Sequence, residues 1–241
     1  MNKRVNPLVV IYLLVVFLPV AIVTTTLTAL ITIIMSTLFG DHKWGYYPAM
    51  VWSRIICATA LIRVTVVGKE HYNPKKSYIF IANHQSLLDV FLIYGWLNSR
   101  FKWIIKEEAR QVPLVGKACE SAGHIFIDRS NGVKAKRSME KAEEKLRNGS
   151  SVVIFPEGSR TRNGTIGKFK RGAFTIAADL HLPVVPITIR GAFEAMPPHS
   201  LYIKPGRMEM VIHPPIETTH LKNTNLNDFI AQTHKIISDV L

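Results

Sequence analysis

The chain opens on an apolar run: residues 8–39 contain no Asp, Glu, Lys, Arg or His. A bilayer-spanning helix needs only ~20 such residues, whereas this run as one helix extends ~48 Å. That is too long for one upright span and too short for two. Pro19 lies inside the run, and Thr24, Thr25, Thr26 and Thr28 soften its middle. The pattern predicts two short helices in a hairpin that dips into one leaflet, with a single tilted span as the alternative. Lys3 and Arg4 precede the run as in a cleaved signal peptide, but the run is long for that role and no small-x-small site closes it. Trp44, Tyr46, Tyr47 and Trp52 follow, with rings suited to the headgroup level. Basic residues flank both sides, Lys3 and Arg4 before, Lys43 and Arg54 after, so charge bias assigns no orientation.

Beyond residue 44 the period changes. Short β-rich runs at 62–67, 77–82, 101–106, 124–128, 151–155, 184–190 and 207–213 alternate with helical patterns at 86–97, 114–121, 133–148, 171–180 and 226–241. In 133–148, Ala135, Met139, Ala142 and Leu146 recur at helical spacing, and Gly149 stops the pattern. Such alternation predicts an α/β fold: a largely parallel mixed sheet of about seven strands flanked by helices. The organisation expected is a membrane-anchoring helical segment over 1–43 and an α/β domain over 44–241. In sheets of this kind sites gather beyond the carboxyl ends of the strands. Residues 83–89, 128–129 and 156–160 fall there.

Composition narrows the partners. Of 241 residues, 30 are Lys or Arg against 17 Asp or Glu, a formal net charge of +13. Anionic partners follow from that balance, and the apolar N-terminus points to lipid among them. The basic residues lack the regular aromatic interleaving that stacks bases, which argues against nucleic acid. Cys57 and Cys119 show no framework spacing and read as core thiols in a reducing compartment.

Two segments carry chemistry. His84 and Asp89 are five apart, which on a regular helix puts them about 140° apart. They touch only if His84 lies on the loop before a helix and Asp89 in its first turn. Ser86 and Asp89 also have capping-box spacing, so Asp89 as a helix cap and His84 as a polar loop residue is one reading. The other is a dyad, in which Asp89 holds one ring nitrogen and leaves the second to take a proton from a substrate hydroxyl. No Gly-x-Ser-x-Gly elbow or convincing Cys nucleophile accompanies the pair, so direct transfer is the simpler mechanism. His-x-x-x-His and Cys-x-x-Cys spacings are absent and no metal is expected. The second segment, Phe155-Pro156-Glu157-Gly158-Ser159-Arg160-Thr161-Arg162, precedes Lys168, Lys170 and Arg171. Cations at a strand-end turn ahead of a helix suit an anion pocket, although charge runs are more often solvated surface.

Together these segments resemble the bacterial 1-acyl-sn-glycerol-3-phosphate acyltransferases of the glycerolipid acyltransferase superfamily, over about residues 66–216. Residues 83–89 match the family's His-x4-Asp block. Residues 123–129, ending in Asp128-Arg129, resemble the second, 155–160 the third, and 182–187, with Pro183 and Pro186, the fourth. The resemblance implies His84 as general base, Asp89 as its orienting acid, and Glu157, Gly158 and Arg160 around the glycerol phosphate. It adds Arg129 and Lys106 as further phosphate contacts. It implies acyl transfer from acyl-CoA or acyl carrier protein to the free hydroxyl of lysophosphatidic acid, without a cofactor. The location implied is the inner membrane, with the domain on the cytoplasmic face. Alternatives are another lyso-lipid or aminolipid acceptor, and a non-catalytic basic module that binds membrane.

Overall fold

Residues 6–128, 150–219, 221 and 224–241 are described by the computed structural model of the chain. The helix expected over 133–148 and the phosphate contact expected at Arg129 lie outside these residues. Strand β2 (Ile79–Ala82) is buried along its whole length. Its side chains alternate, Phe80 and Ala82 entering one core cluster while Ile79 and Ile81 enter another. A strand wetted on neither face belongs at the middle of a covered parallel sheet.

The sheet has seven strands in the order β1-β7-β6-β2-β5-β3-β4. These are β1 (Ile62–Val67), β2, β3 (Phe101–Lys106), β4 (Ile125–Ile127), β5 (Ser151–Ile154), β6 (Val184–Arg190) and β7 (Gly206–Ile212). The β6–β7 ladder is antiparallel and the other ladders are parallel. The five strands from β6 to β4 therefore end at one edge, where the three predicted segments begin. β2 starts at Ile79 and not at residue 77 because the Tyr78 amide donates to the Ser151 side chain, outside the ladder.

Helices cover both faces. On one lie α2 (Tyr47–Thr59) and α3 (Leu88–Trp96), joined by Arg54 Nε donating to the Gly95 carbonyl at 2.8 Å and by the Trp52–Phe91 ring contact. A shorter helix, α4 (Val115–Ser121), leads into β4. On the other face lie α5 (Gly172–Asp179) and α6 (Leu226–Ser238), which bury Phe174, Phe229 and Ile237.

The expected hairpin within the apolar run is replaced by one helix, α1 (Pro7–Phe39). A π-turn over Leu13–Phe17 precedes Pro19, and its wider hydrogen bonding relieves the clash a proline makes with the preceding turn. The threonines do not break the helix either. Thr24 Oγ1 donates back to the Val20 carbonyl at 2.7 Å, and Thr25 Oγ1 accepts Trp52 Nε1 at 3.0 Å. The returning arm is α2, tied to α1 by that indole and by Tyr12 donating to the Thr59 carbonyl. Leu14, Val15, Ile22, Val23, Leu27, Ile34 and Leu38 of α1 remain exposed, a far larger apolar face than soluble monomers present.

Candidate active site

β2 and β5 are neighbours, so the loops that leave them meet. Asn83 ends β2 by extending the ladder with its side chain. Its Nδ2 donates to the Ile189 carbonyl at 2.9 Å, and its Oδ1 accepts the Ile189 amide at 2.7 Å. The next residue, His84, is thereby fixed at the mouth of a cleft. His84 Nδ1 lies 2.8 Å from Asp89 Oδ2. The same oxygen accepts the Gln85 amide at 2.7 Å and the Ser86 amide at 2.8 Å. An oxygen already receiving two backbone N–H groups acts as acceptor toward the third partner, so Nδ1 carries the proton and Nε2 is left as the acceptor. Asp89 is fully buried and its Oδ1 has no partner. The geometry of this spacing combines the helix-start contact with the contact to the ring. Ser86 Oγ accepts the Leu88 amide while Asp89 reaches back to Ser86, so the carboxylate closes the helix start and orients the ring. The helix begins two residues later than expected, at Leu88.

The imidazole has a second support. Its ring stacks on Phe155, centroids 3.9 Å apart and planes 8° from parallel, and Phe155 stacks in turn on Trp103. Phe155 follows β5, so one strand end supplies both this platform and the arginine turn. Gly158 takes φ +78°, and its amide donates to the Phe155 carbonyl at 3.1 Å, closing the bend that only glycine adopts without strain. Glu157, expected at the glycerol phosphate, lies beneath the site and is 7% exposed. One of its oxygens accepts the His84 amide and the other the Gly167 amide, each at 2.7 Å. Burial pushes its carboxyl above the ordinary range, and those two N–H groups oppose the shift. Glu157 thus positions His84 through the backbone.

The cleft encloses about 650 Å³. His84, Gly158, Arg160, Arg162 and Lys106 line it beside Trp52, Phe91 and Trp103. Lys106 is exposed and lies 3.8 Å from Glu108. At the inner end the Tyr94 hydroxyl meets His124 Nε2 at 2.5 Å, and a smaller apolar pocket continues from there to Thr28, Ala29 and Thr32 of α1. Burial raises the Cys119 thiol in this wall to about 11 and the Cys57 thiol to about 12, so neither is a thiolate nucleophile at neutral pH. Asn83, Gln85, Phe155 and Trp103 complete the site. Asn83 and Gln85 stand inside the first block, but nothing in the pattern distinguishes their roles there.

Residues 63–190 match the family model described as Acyltransferase. The chain is 30% identical over 226 residues to a 1-acyl-sn-glycerol-3-phosphate acyltransferase of Cocos nucifera, covering 93% of this chain and 73% of that protein. It is 37% identical over 162 residues to the alpha form from Bos taurus, covering 67% and 56%, and 33% identical to a Chlamydomonas reinhardtii protein of the same activity name, covering 63% and 46%. Against several of these curated relatives the match therefore spans about half of their length. The crystal structure of the 1-acyl-sn-glycerophosphate (LPA) acyltransferase PlsC from Thermotoga maritima superposes with a TM-score of 0.82 at 26% identity, covering 100% of this chain and 98% of that one.

Proposed function

From a chain that belongs to the acyltransferase family, we propose an enzyme that moves a fatty acyl group from acyl-CoA or acyl carrier protein to the sn-2 hydroxyl of 1-acyl-glycerol-3-phosphate, giving phosphatidic acid. The observation that carries this reading is the His84–Asp89 contact of 2.8 Å at the mouth of a cleft that also holds Arg160 and Lys106. The names of the relatives support the acceptor.

The acceptor hydroxyl attacks the thioester carbonyl while His84 Nε2 removes its proton. The resulting imidazolium is held by Asp89, whose charge is fully desolvated and already aimed at Nδ1. Collapse of the tetrahedral adduct breaks the carbon–sulfur bond, and the departing thiolate takes the proton from His84. Products are the ester and the free thiol, and the enzyme returns unchanged. Arg160 and Lys106 hold the acceptor phosphate, and the aromatic wall receives an acyl chain. The exposed face of α1 rests in the inner membrane, with the α/β domain on its cytoplasmic side, where both donors are made.

The test is purified protein in detergent with acyl-CoA and a panel of lyso-lipids, read by thiol release and product chromatography. Lysophosphatidic acid is expected to give stoichiometric thiol and phosphatidic acid. Absence of thiol release with every acceptor, from acyl-CoA and from acyl carrier protein alike, contradicts the proposal.

A further inference from the structure

Both substrates of this reaction carry phosphate, but at different distances from the reacting atoms. In the acceptor only a short glycerol stretch separates the attacking oxygen from phosphorus. In the donor the sulfur and the phosphate are separated by a long pantetheine arm. The arginine turn has two sides. One faces the cleft that His84 lines. The other forms a second pocket of about 330 Å³ that includes Arg160, Arg162, Asn163, Thr165 and Lys168, with Glu157 as its one acid, but not His84. Arg160 and Arg162 line both, so the two spaces share a wall.

This second pocket is built on a fastened loop. Thr161 N donates to the His84 carbonyl at 3.1 Å, Gln85 Nε2 to the Gly164 carbonyl at 2.5 Å, and Gly167 N to Glu157, which also holds the His84 amide. Asn163 Oδ1 accepts both the amide and the hydroxyl of Thr165. A merely solvated run of charge needs no such ties to the residues around His84. Among the described residues Arg160, Arg162 and Lys168 have no carboxylate within ion-pair distance, and the Glu157 carboxylate that also lines the pocket is held by the His84 and Gly167 amides. No aromatic side chain lines the pocket, so it offers phosphate contacts and no surface for a stacked base.

Resting on the acyl-transfer reading, we propose that this outer pocket, with Lys168 and Arg162 as its cations, binds the phosphate of the donor's 4′-phosphopantetheine arm. The thioester end then turns over the shared wall to His84. The group is common to acyl-CoA and acyl carrier protein.

The test compares equilibrium binding of palmitoyl-phosphopantetheine and palmitoyl-pantetheine to the full chain in detergent, for wild type and Lys168→Ala. Wild type is expected to prefer the phosphorylated form by about tenfold, the value of one charge-assisted hydrogen bond, and the variant to lose that preference. In turnover assays the variant is expected to raise the donor KM and leave the acceptor KM unchanged. A rise with both acyl-CoA and acyl carrier protein identifies the shared phosphate, and a rise with one of them identifies the source. Equal binding of the two thioesters by wild type, an undiminished preference in the variant, or an effect on the acceptor KM alone overturns the assignment. A wild type that keeps the binding preference yet releases no thiol counts against acyl transfer and leaves the phosphate pocket standing.

Discussion

Replacing Asp89 with asparagine removes one charge and almost no volume. Three donors converge on Asp89 Oδ2, from His84 Nδ1, Gln85 N and Ser86 N. Two of these are main-chain groups that cannot turn away, so the carbonyl of the introduced side chain is not free to rotate and must occupy the Oδ2 position. The amide nitrogen then takes the place of Oδ1, which already lacks a partner. The ring keeps its tautomer and orientation but loses the negative charge that holds the imidazolium. At about 4 Å and an effective dielectric near 20 that charge pair is worth ~4 kcal/mol, and the neutral hydrogen bond that remains returns ~1 kcal/mol. The difference of ~3 kcal/mol corresponds to a loss of about 10²-fold in kcat. Asp89→Ala is the control. It also orphans the two amides, at ~1–3 kcal/mol each, and lowers Tm by at least ~5 °C. The assay is thiol release at saturating donor and acceptor, with a thermal melt of each variant. A kcat for Asp89→Asn within about twofold of wild type refutes the charge argument. A Tm loss as large as that of Asp89→Ala refutes the geometric one.

Phe155→Ala removes the ring stacked on His84; turnover is expected to fall, and urea unfolding to show ~2–3 kcal/mol of lost stability, below the range for a wholly buried phenylalanine because Phe155 is half-buried. Glu157→Gln turns one of two acceptors into a donor facing a backbone N–H, which costs ~1–3 kcal/mol and is expected to speed amide exchange in the loop ending at Gly167. Burial raises the Glu157 carboxyl in the folded chain, so its proton is bound more tightly folded than unfolded. Its contribution is greatest below the ordinary carboxyl range and declines as pH rises through the raised value. The stability gap between wild type and Glu157→Gln is therefore expected to narrow over that rise, as thermal melts across the acidic range will show. Leu27→Lys combined with Ile34→Lys puts charge on the exposed face of α1; loss of two apolar anchors at ~1.5–3 kcal/mol each is expected to cut vesicle partitioning at least tenfold in sedimentation.

The alternation of periods after residue 44 was enough to place the strands, because buried parallel strands such as 79–82 and 184–187 are unbroken apolar runs. The spacing of His84 and Asp89 also carried its geometry, since five residues meet only across a loop-to-helix start. Residues 8–39 misled for a local reason. Pro19 and four threonines suggested an interruption, but a π-turn ahead of the proline, the back-bonded Thr24 hydroxyl and the Trp52 bond to Thr25 fit within one helix. The task of Glu157 was not legible, because its two amide partners stand 73 and 10 residues away in the chain. Phe155 read as the end of a strand, and its service as a platform depends on β2 lying beside β5.

The most direct measurement is the turnover of His84→Ala, purified and assayed with acyl-CoA and lysophosphatidic acid beside wild type. A loss of ~10²–10⁴-fold in kcat with an unchanged melting temperature is expected if this imidazole removes the hydroxyl proton. Near-normal turnover in a folded variant contradicts it.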